Sequence, residues 1–326
     1  MIVYKFIFLD SENHKMKKQI TVAVLMGGDS AEREISLQSG KAVTSALREK
    51  GYRVLCFDPK TDLPKFIQQR DKIDVVFPTL HGKGGEDGSI QGLLEFLRVP
   101  FVGSGMRGML NSFDKISAKE IYRAAKLPVA KDVIAKIGED GVENKISKRI
   151  GFPCFVKPSS EGSSFGASIV QKKSELFQAL KRAWKYGDAL VEEYLEGVEI
   201  SVGVLEKLDG GLQALPSIEI TPRGKFFDFR SKYDSKFVEE IVPARISKAL
   251  EKKAQVLAKK AHRALGLKDL SRTDFIITKN KIYLLETNTI PGFTVNSLYP
   301  KEALSAGIEF SELTEKLIRL NLPHKT

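Results

Sequence analysis

The sequence predicts a mixed α/β and α+β chain: an N-terminal parallel-sheet domain followed by two modules in which antiparallel sheets pack with helices. Three observations carry this. Apolar runs of strand length alternate with helical patterns over the N-terminal third. A Gly/Ser-rich loop, Pro158–Gly166, sits between two short strand patterns. Two long strand patterns, Arg272–Thr278 and Ile282–Asn288, flank the polar turn Lys279-Asn280-Lys281.

Taken in order, Ile20–Met26 reads as a buried strand, and Gly27-Gly28-Asp29-Ser30 turns into a helix that ends near Lys50, before Gly51. Tyr52–Phe57 is a second strand closed by Pro59, and Asp74–Phe77 is a third. The polar loop His81–Gly88 leads into a helix over Ser89–Leu97, and Val99–Val102 reads as a fourth strand. Such alternation implies parallel strands with helices on their faces, and ligands collect at the carboxyl ends of those strands. The loops Gly27–Glu34 and His81–Gly88 fall there. From Phe113 a helix is expected through Lys126, then short strands including Phe155–Lys157 and Ala167–Val170, a helix over Ser174–Trp184 and a strand at Ala189–Glu193. From Glu199 antiparallel strands dominate, interrupted by a long helix from Ser247 to Leu265. The expected modules are 16–112, 113–198 and 199–326, with residues 1–15 an extension ahead of Met16-Lys17-Lys18.

Composition narrows the class. In 326 residues, 42% hydrophobic and 29% charged, a disordered chain, a collagen-like chain and a disulfide scaffold are disfavoured. The longest apolar runs are far short of a membrane span, so no membrane partner is expected. The formal charge of +11 invites a polyanion. Lysine outnumbers arginine more than two to one and is scattered, whereas bidentate phosphate and base reading favours arginine, so nucleic acid is not expected. Lys252, Lys253, Lys259 and Lys260 fall on the outer face of a helix whose apolar stripe is Leu250, Ala254, Leu257, Ala261 and Leu265. Cys56 and Cys154, each inside an apolar run, make neither a zinc spacing nor a disulfide framework, and a reducing cytoplasm is the natural compartment. Met1–Leu9 is interrupted by Lys5, bounded by Asp10 and followed by no small-residue cleavage site, so it does not read as a signal peptide.

Several constellations carry chemistry. In Lys157-Pro158-Ser159-Ser160-Glu161-Gly162-Ser163-Ser164-Phe165-Gly166, glycines admit an anion to backbone N–H groups, serines add donors and the lysine adds charge, which suits a polyphosphate. It is not a P-loop, and a merely flexible loop is the alternative. If the C-terminal hairpin centres on Asn280, Asp274 lies opposite Glu286 and Arg272 opposite Asn288, all on one face. Opposed carboxylates about 4.5–5.5 Å apart need a compensator, either a divalent cation held by hard oxygens or a salt bridge to Arg272. Glu32 at the first helix start is either a first-turn acid or a functional carboxylate. His81 sits in a loop too glycine-rich for a packing role, and His14, His262 and His324 read as surface. Asp228–Asp234 reads as an active-site flap or an ordinary surface loop.

Taken together, these strings resemble the D-alanine–D-alanine ligases of the ATP-grasp superfamily. The resemblance is collinear from about residue 18 to 320: Gly27–Ser36, Leu80–Gly88, Phe113-Asp114-Lys115, Val156–Ser159, Glu161–Ser164, Ser231-Lys232-Tyr233, Arg272-Thr273-Asp274 and Glu286–Thr294. Phe113, Phe165 and Ile290 depart from the residues usual there, all by apolar changes. The resemblance implies an ATP-dependent carboxylate–amine ligase, with nucleotide between the central and C-terminal modules and a homodimeric assembly. It implies phosphate contacts from Lys115, Lys157 and Lys232, and closure of Ser159, Gly162, Ser163 and Ser164 over the phosphates. Glu192, Glu193, Leu195 and Leu285 would line the adenine pocket, with Glu199 on the ribose. Asp274, Glu286 and Asn288 would hold two Mg²⁺, or Mn²⁺ in their place. Glu32 would pair with the ammonium of the first D-alanine, chained to Ser163 and Tyr233, with His81 nearby. Arg272 and the Gly292 N–H would form an oxyanion site, and Ser297 and Leu298 would take the second D-alanine's carboxylate.

Two other functions fit parts of the pattern. A D-alanine–D-lactate ligase of the same family would replace the Lys232-Tyr233 pair, which is present. A nucleotide-responsive binding protein without catalysis would show gaps among Lys157, Asp274, Glu286 and Asn288, and there are none.

Overall fold

The run Thr21–Leu25 is buried along its whole length, as a central parallel strand covered on both faces must be. A computed structural model describes residues 19–162, 165–222, 238–279 and 281–322. In it Thr21–Leu25 (β1) lies between Arg53–Phe57 (β2) and Val75–Pro78 (β3), in the parallel order β2-β1-β3. Helices Arg33–Glu49 (α1), Pro59–Gln69 (α2) and Ser89–Phe96 (α3) follow the strands in turn. Pro59 closes no more than the strand: with Asp58 accepting from the Lys60 N–H as N-cap, it opens α2, since its fixed φ suits the first helical turn. Val99–Val102 is not a fourth ladder strand. It touches the sheet through one parallel bridge, Val76 with Phe101, because Pro100 lacks an N–H and Arg98 and Gly103 turn the backbone to positive φ on either side.

The helix expected from Phe113 to Lys126 is Lys115–Ala124 (α5), and a further helix that was not expected, Met106–Phe113 (α4), precedes it. Asp114 divides them, in extended conformation, and caps α5 by accepting from the Ser117 N–H at 2.8 Å. The central sheet contains Asp132–Ala135 (β4), Cys154–Pro158 (β5), Ser168–Val170 (β6) and Ala189–Glu193 (β7), antiparallel in the order β4-β7-β5-β6. Val142–Arg149 (α6) and Lys173–Ala183 (α7) supply Ile146, Leu176 and Leu180 to a core shared with Val133, Val156 and Val191.

The C-terminal sheet is built from Val198–Glu206 (β8), Leu212–Ala214 (β9), Ile218–Pro222 (β10), Val238–Ile241 (β11), Leu270–Thr278 (β12) and Lys281–Asn288 (β13). Its order is β11-β10-β8-β12-β13, with β9 also on β8. Lys248–Leu265 (α8) packs Ala254, Ala258, Ala261 and Leu265 against it. Lys252, Lys253 and Lys260 are exposed on the far face, as the stripe requires, whereas Lys259 is half-buried. His262, read from sequence as surface, is buried instead. It follows Ala261 into the sheet, where Nδ1 meets Ser271 Oγ at 2.8 Å, and burial pulls its pKa down to about 4.

Chain order and packing diverge at two places. Ala118 and Tyr122 of α5, with Leu127, join the core of the C-terminal sheet beside Val202 and Phe275, although they precede the central sheet in sequence. Leu298–Ser305 (α9) and Phe310–Asn321 (α10) carry Tyr299, Leu313 and Leu317 into the core of Val22, Val24 and Phe77. Among the described residues no helix is long and apolar enough to cross a membrane.

The approach of α1 to the end of β1 depends on Gly40, where an added Cβ would lie 2.5 Å from Met26 Cβ. Gly40→Val is expected to lower stability by about 1–3 kcal/mol through overpacking, read as a lower midpoint with unchanged slope in denaturant unfolding.

Candidate active site

Asp274 lies opposite Glu286 and Arg272 opposite Asn288. A hairpin centred on Asn280 would reach these pairs in one continuous register, but the structure takes another route. Thr278 faces Lys281, Ile277 faces Ile282 and Phe275 faces Leu284, and the register then shifts between Asp274 and Phe275. Leu285 is the extra residue of this bulge; without it the tight register near the turn would set Asp274 against Leu285. An irregular ladder therefore brings the two carboxylates together.

Asp274 is buried and fully engaged. Arg272 grips it through Nε and Nη2, each at 2.9 Å. Ser201 Oγ, from the facing residue of β8, donates to Oδ1, and Asn288 Nδ2 donates to Oδ2 at 3.0 Å. All four acceptor sites of the carboxylate are thus in use, so a metal bound by Asp274 would take the place of one of these donors. Burial opposes the Arg272 charge, but Asp274 outweighs it and keeps the guanidinium firmly protonated. Glu286 faces a different cation, Lys115, at 3.7 Å. Asp274, Glu286 and Asn288 offer hard oxygens suited to Mg²⁺. Among the described residues no group of three or more His, Cys, Asp or Glu is placed to hold a metal, so any metal here needs the Asn288 amide as its third protein ligand.

A second pair of carboxylates, Asp132 and Glu192, is opposed between β4 and β7. Lys157 Nζ on β5 lies 2.7 Å from Glu192 Oε2. Lys119 Nζ on α5 binds Glu192 Oε1, lies 3.2 Å from Asp132 Oδ1 and donates to the Ala130 carbonyl at 3.0 Å. Arg123 also pairs with Asp132. Burial disfavours the Glu192 carboxylate, but Lys157 and Lys119 outweigh it and hold its pKa below the usual range. The Gly/Ser loop is anchored to the start of α5. Lys115 N–H donates to the Ser159 carbonyl at 2.8 Å, its Nζ to the Glu161 carbonyl at 2.7 Å, and Ser160 Oγ to Asp114 Oδ2 at 2.8 Å.

The N-terminal loops close on the same place. Lys83 pairs with Glu161 at 2.6 Å. A Cβ on Gly162 would come within 2.8 Å of Glu32 Oε2, and one on Gly82 within 3.1 Å, so two glycines from different modules let the backbone approach one carboxylate. His81 is not the solvated loop residue that its glycine-rich surroundings suggest. It is 6% exposed, its Nε2 has no partner among the described residues, and it borders a small apolar cavity with Phe77, Ile290 and Phe293. Burial lowers its pKa against the pull of Glu32, so the imidazole is neutral.

Gly292 precedes Phe293, whose N–H donates to Ser39 Oγ of α1 at 3.2 Å. Ser297 Oγ takes the Thr294 N–H at 3.1 Å just before α9, and Leu298 opens that helix. Glu193 Oε1 accepts from the Lys131 N–H at 2.8 Å, Leu195 and Leu285 are half-buried, and Glu199 lies across from Ile220 and Ile276. Ser163, Ser164, Lys232 and Tyr233, with the rest of the expected flap, lie outside the described residues.

Three groups escaped the sequence reading. Lys119 follows Lys115 by one helical turn, and its buried neighbours Ala118 and Tyr122 were the available signal. Glu86 lies inside the string around His81; burial and the nearby Glu32 push its carboxyl up to about 8. Glu302 on α9 is fully buried beside Gly203, and burial raises its pKa far above the ordinary range. Nothing in its sequence context separates it from a surface glutamate.

The family profile for the D-ala D-ala ligase C-terminus matches residues 121–319, and that for the D-ala D-ala ligase N-terminus matches 59–104. The D-alanine–D-alanine ligase of Syntrophobacter fumaroxidans is 47% identical over 308 residues, 94% of this chain and 98% of the relative. That of Geobacter sulfurreducens is 42% identical over 304 residues, 92% and 94% of the two chains. A crystal structure of the D-alanine–D-alanine ligase from Bacillus anthracis complexed with ATP superposes with a TM-score of 0.81 at 29% identity, covering 93% of this chain and 97% of that one. The VanG D-Ala:D-Ser ligase from Enterococcus faecalis gives 0.81 at 31% identity, covering 94% and 100%.

Glu86 makes a pH signature. The folded chain keeps its proton up to about 8, whereas the unfolded chain releases it near the ordinary 4.5. Between those values the folded state binds more protons, so stability is expected to fall as pH rises across that window. Denaturant midpoints across the range should show this slope in the parent chain and a flatter one in Glu86→Gln; equal slopes would remove the assignment.

Proposed function

The chain belongs to the D-alanine–D-alanine ligase family, and on that premise we propose how its own residues perform the ATP-dependent joining of two D-alanines. The product, D-alanyl-D-alanine, serves peptidoglycan synthesis. What most supports the residue roles is the closure of Gly82 and Gly162 on Glu32: the carboxylate suited to a substrate ammonium touches the loop suited to a phosphate.

In this reading Glu32 holds the ammonium of the first D-alanine, and His81, neutral and buried, shapes the pocket. ATP lies between the central and C-terminal sheets, with its adenine by Glu192, Glu193, Leu195 and Leu285, its ribose on Glu199 and its phosphates against Lys115, Lys157 and Ser159–Ser164. The first D-alanine carboxylate attacks the γ-phosphorus, forming an acyl phosphate and releasing ADP. Asp274, Glu286 and Asn288 would hold two Mg²⁺, which supply charge neutralisation on the phosphates. The amine of the second D-alanine, having lost a proton, then attacks the acyl carbon. The tetrahedral oxyanion forms against Arg272, held rigid by Asp274, and the Gly292 N–H. Phosphate leaves as the peptide bond is completed. The second substrate's carboxylate meets Ser297 and the N-terminus of α9, whose orphan N–H groups favour an anion. Because acyl phosphates hydrolyse readily, water must be excluded, a task we assign to the segment of Lys232 and Tyr233, with Ser163 and Tyr233 completing the chain from Glu32.

The two cysteines are consistent with a cytoplasmic enzyme. A homodimer is favoured by the exposed Phe96, Met106 and Leu110 on the adjacent helices α3 and α4. A D-alanine–D-lactate or D-alanine–D-serine ligase is the second reading, since a D-Ala:D-Ser ligase shares the fold equally well; the Lys232-Tyr233 pair favours D-alanine.

A coupled assay should show ADP release with D-alanine as sole amino acid, and faster ligation of D-alanine than of D-lactate or D-serine at neutral pH; preference for either competitor reverses the choice. Arg272→Met should lower kcat by about 10²–10³-fold, as loss of an oxyanion donor does. Glu286→Gln should abolish turnover while leaving the circular dichroism spectrum intact, and near-normal activity would remove its metal role.

A further inference from the structure

The cluster around Glu192 contains a buried cation, Lys119, that the reaction does not use. Glu192 sits between two lysines, Lys157 on Oε2 at 2.7 Å and Lys119 on Oε1. The two cations are built differently. Lys119 is also tied to the Ala130 carbonyl at 3.0 Å and to Asp132 at 3.2 Å, and its side chain is 3% exposed. Lys157 has Glu192 as its one close carboxylate among the described residues, and its side chain is 11% exposed. With phosphate in the site, Lys157 must serve an anion other than Glu192. A buried carboxylate that loses its cation while facing another carboxylate, here Asp132, would be strongly disfavoured.

We propose that Lys119 is the positioning residue of the nucleotide site: it stays on Glu192 and Asp132, so that Lys157 can leave Glu192 for a phosphate. The inference rests on the ATP reading above. Five charged groups take part: Asp132 and Glu192 against Lys119, Arg123 and Lys157. Once Lys157 turns to phosphate, two anions remain with two cations, the buried Lys119 and the exposed Arg123. Without Lys119, Glu192 holds Lys157 in competition with the nucleotide. Lys119 touches no phosphate in this scheme and acts only through Glu192 and Lys157.

The test is calorimetric titration with MgATP, in the absence of D-alanine, and separately with adenosine. The parent chain should bind MgATP the more tightly. Lys119→Met should weaken MgATP by about 10-fold or more, the size of one lost hydrogen bond to a charged group, while adenosine stays within about twofold, so the ratio of the two affinities collapses. Parallel weakening of both ligands would mean a damaged pocket and would overturn the proposal, as would no change in either. Should Lys119→Met fail to fold, Glu192→Gln compared with the double variant Lys119→Met/Glu192→Gln decides, because a neutral Glu192 side chain needs no second cation. Equal MgATP affinity in those two supports the proposal, and a further large loss in the double variant overturns it. A parent chain that binds no MgATP would instead remove the nucleotide site itself.

Discussion

Opposed carboxylates organise this molecule. Asp274 faces Glu286 in one sheet and Asp132 faces Glu192 in the other, and like charges directly across a ladder are destabilising unless something offsets them. Cations drawn from elsewhere in the chain do so. Arg272 and Lys115 serve the first pair, and Lys119, Arg123 and Lys157 the second. Three of these, Lys115, Lys119 and Arg123, project from α5, which packs on the C-terminal sheet while its charged side chains reach both pairs. The helix is thereby a strut between two sheets, and the cations it carries are already concentrated where a polyphosphate would lie. An anionic ligand entering there meets charge assembled during folding, with little reorganisation left to be done.

The same helix sets the Gly/Ser loop. Lys115 reaches the loop through its own N–H and through Nζ, and Asp114, which caps α5, takes the Ser160 hydroxyl. The loop at Gly82 and Lys83 completes the enclosure from the N-terminal module. That module is held in place at its far side by Asp269. This buried residue, at φ +62°, accepts from the Gly103 N–H and from Asn321 at the end of α10. The loops around Glu32 are therefore carried on a frame fixed at both ends, which suits a reaction whose acyl phosphate must not meet water.

Much of the fold was readable along the chain, because periodicity, capping and turn chemistry are local. The strands at 21–25 and 189–193, the helix stripe of α8 and the collinear motifs needed no tertiary knowledge. Misreadings arose where a distant partner decides. Val99–Val102 has strand composition, yet Pro100 and two positive-φ neighbours limit it to one bridge. His262 reads as surface along the chain and is buried because it follows Ala261 on the inward face.

By itself the sequence determined which polar side chains share a face: alternation along two strands around a short turn makes Arg272, Asp274, Glu286 and Asn288 neighbours. Tertiary structure alone decided how they are paired, since the bulge at Leu285 sets the final register and β8 brings Ser201 to Asp274. It also decided which carboxyls hold their protons. Glu86 and Glu302 owe their raised pKa values to burial and to charges far away in sequence. Desolvation and Coulomb energy depend on what the folded chain brings near, and a linear string of residues does not contain that distance.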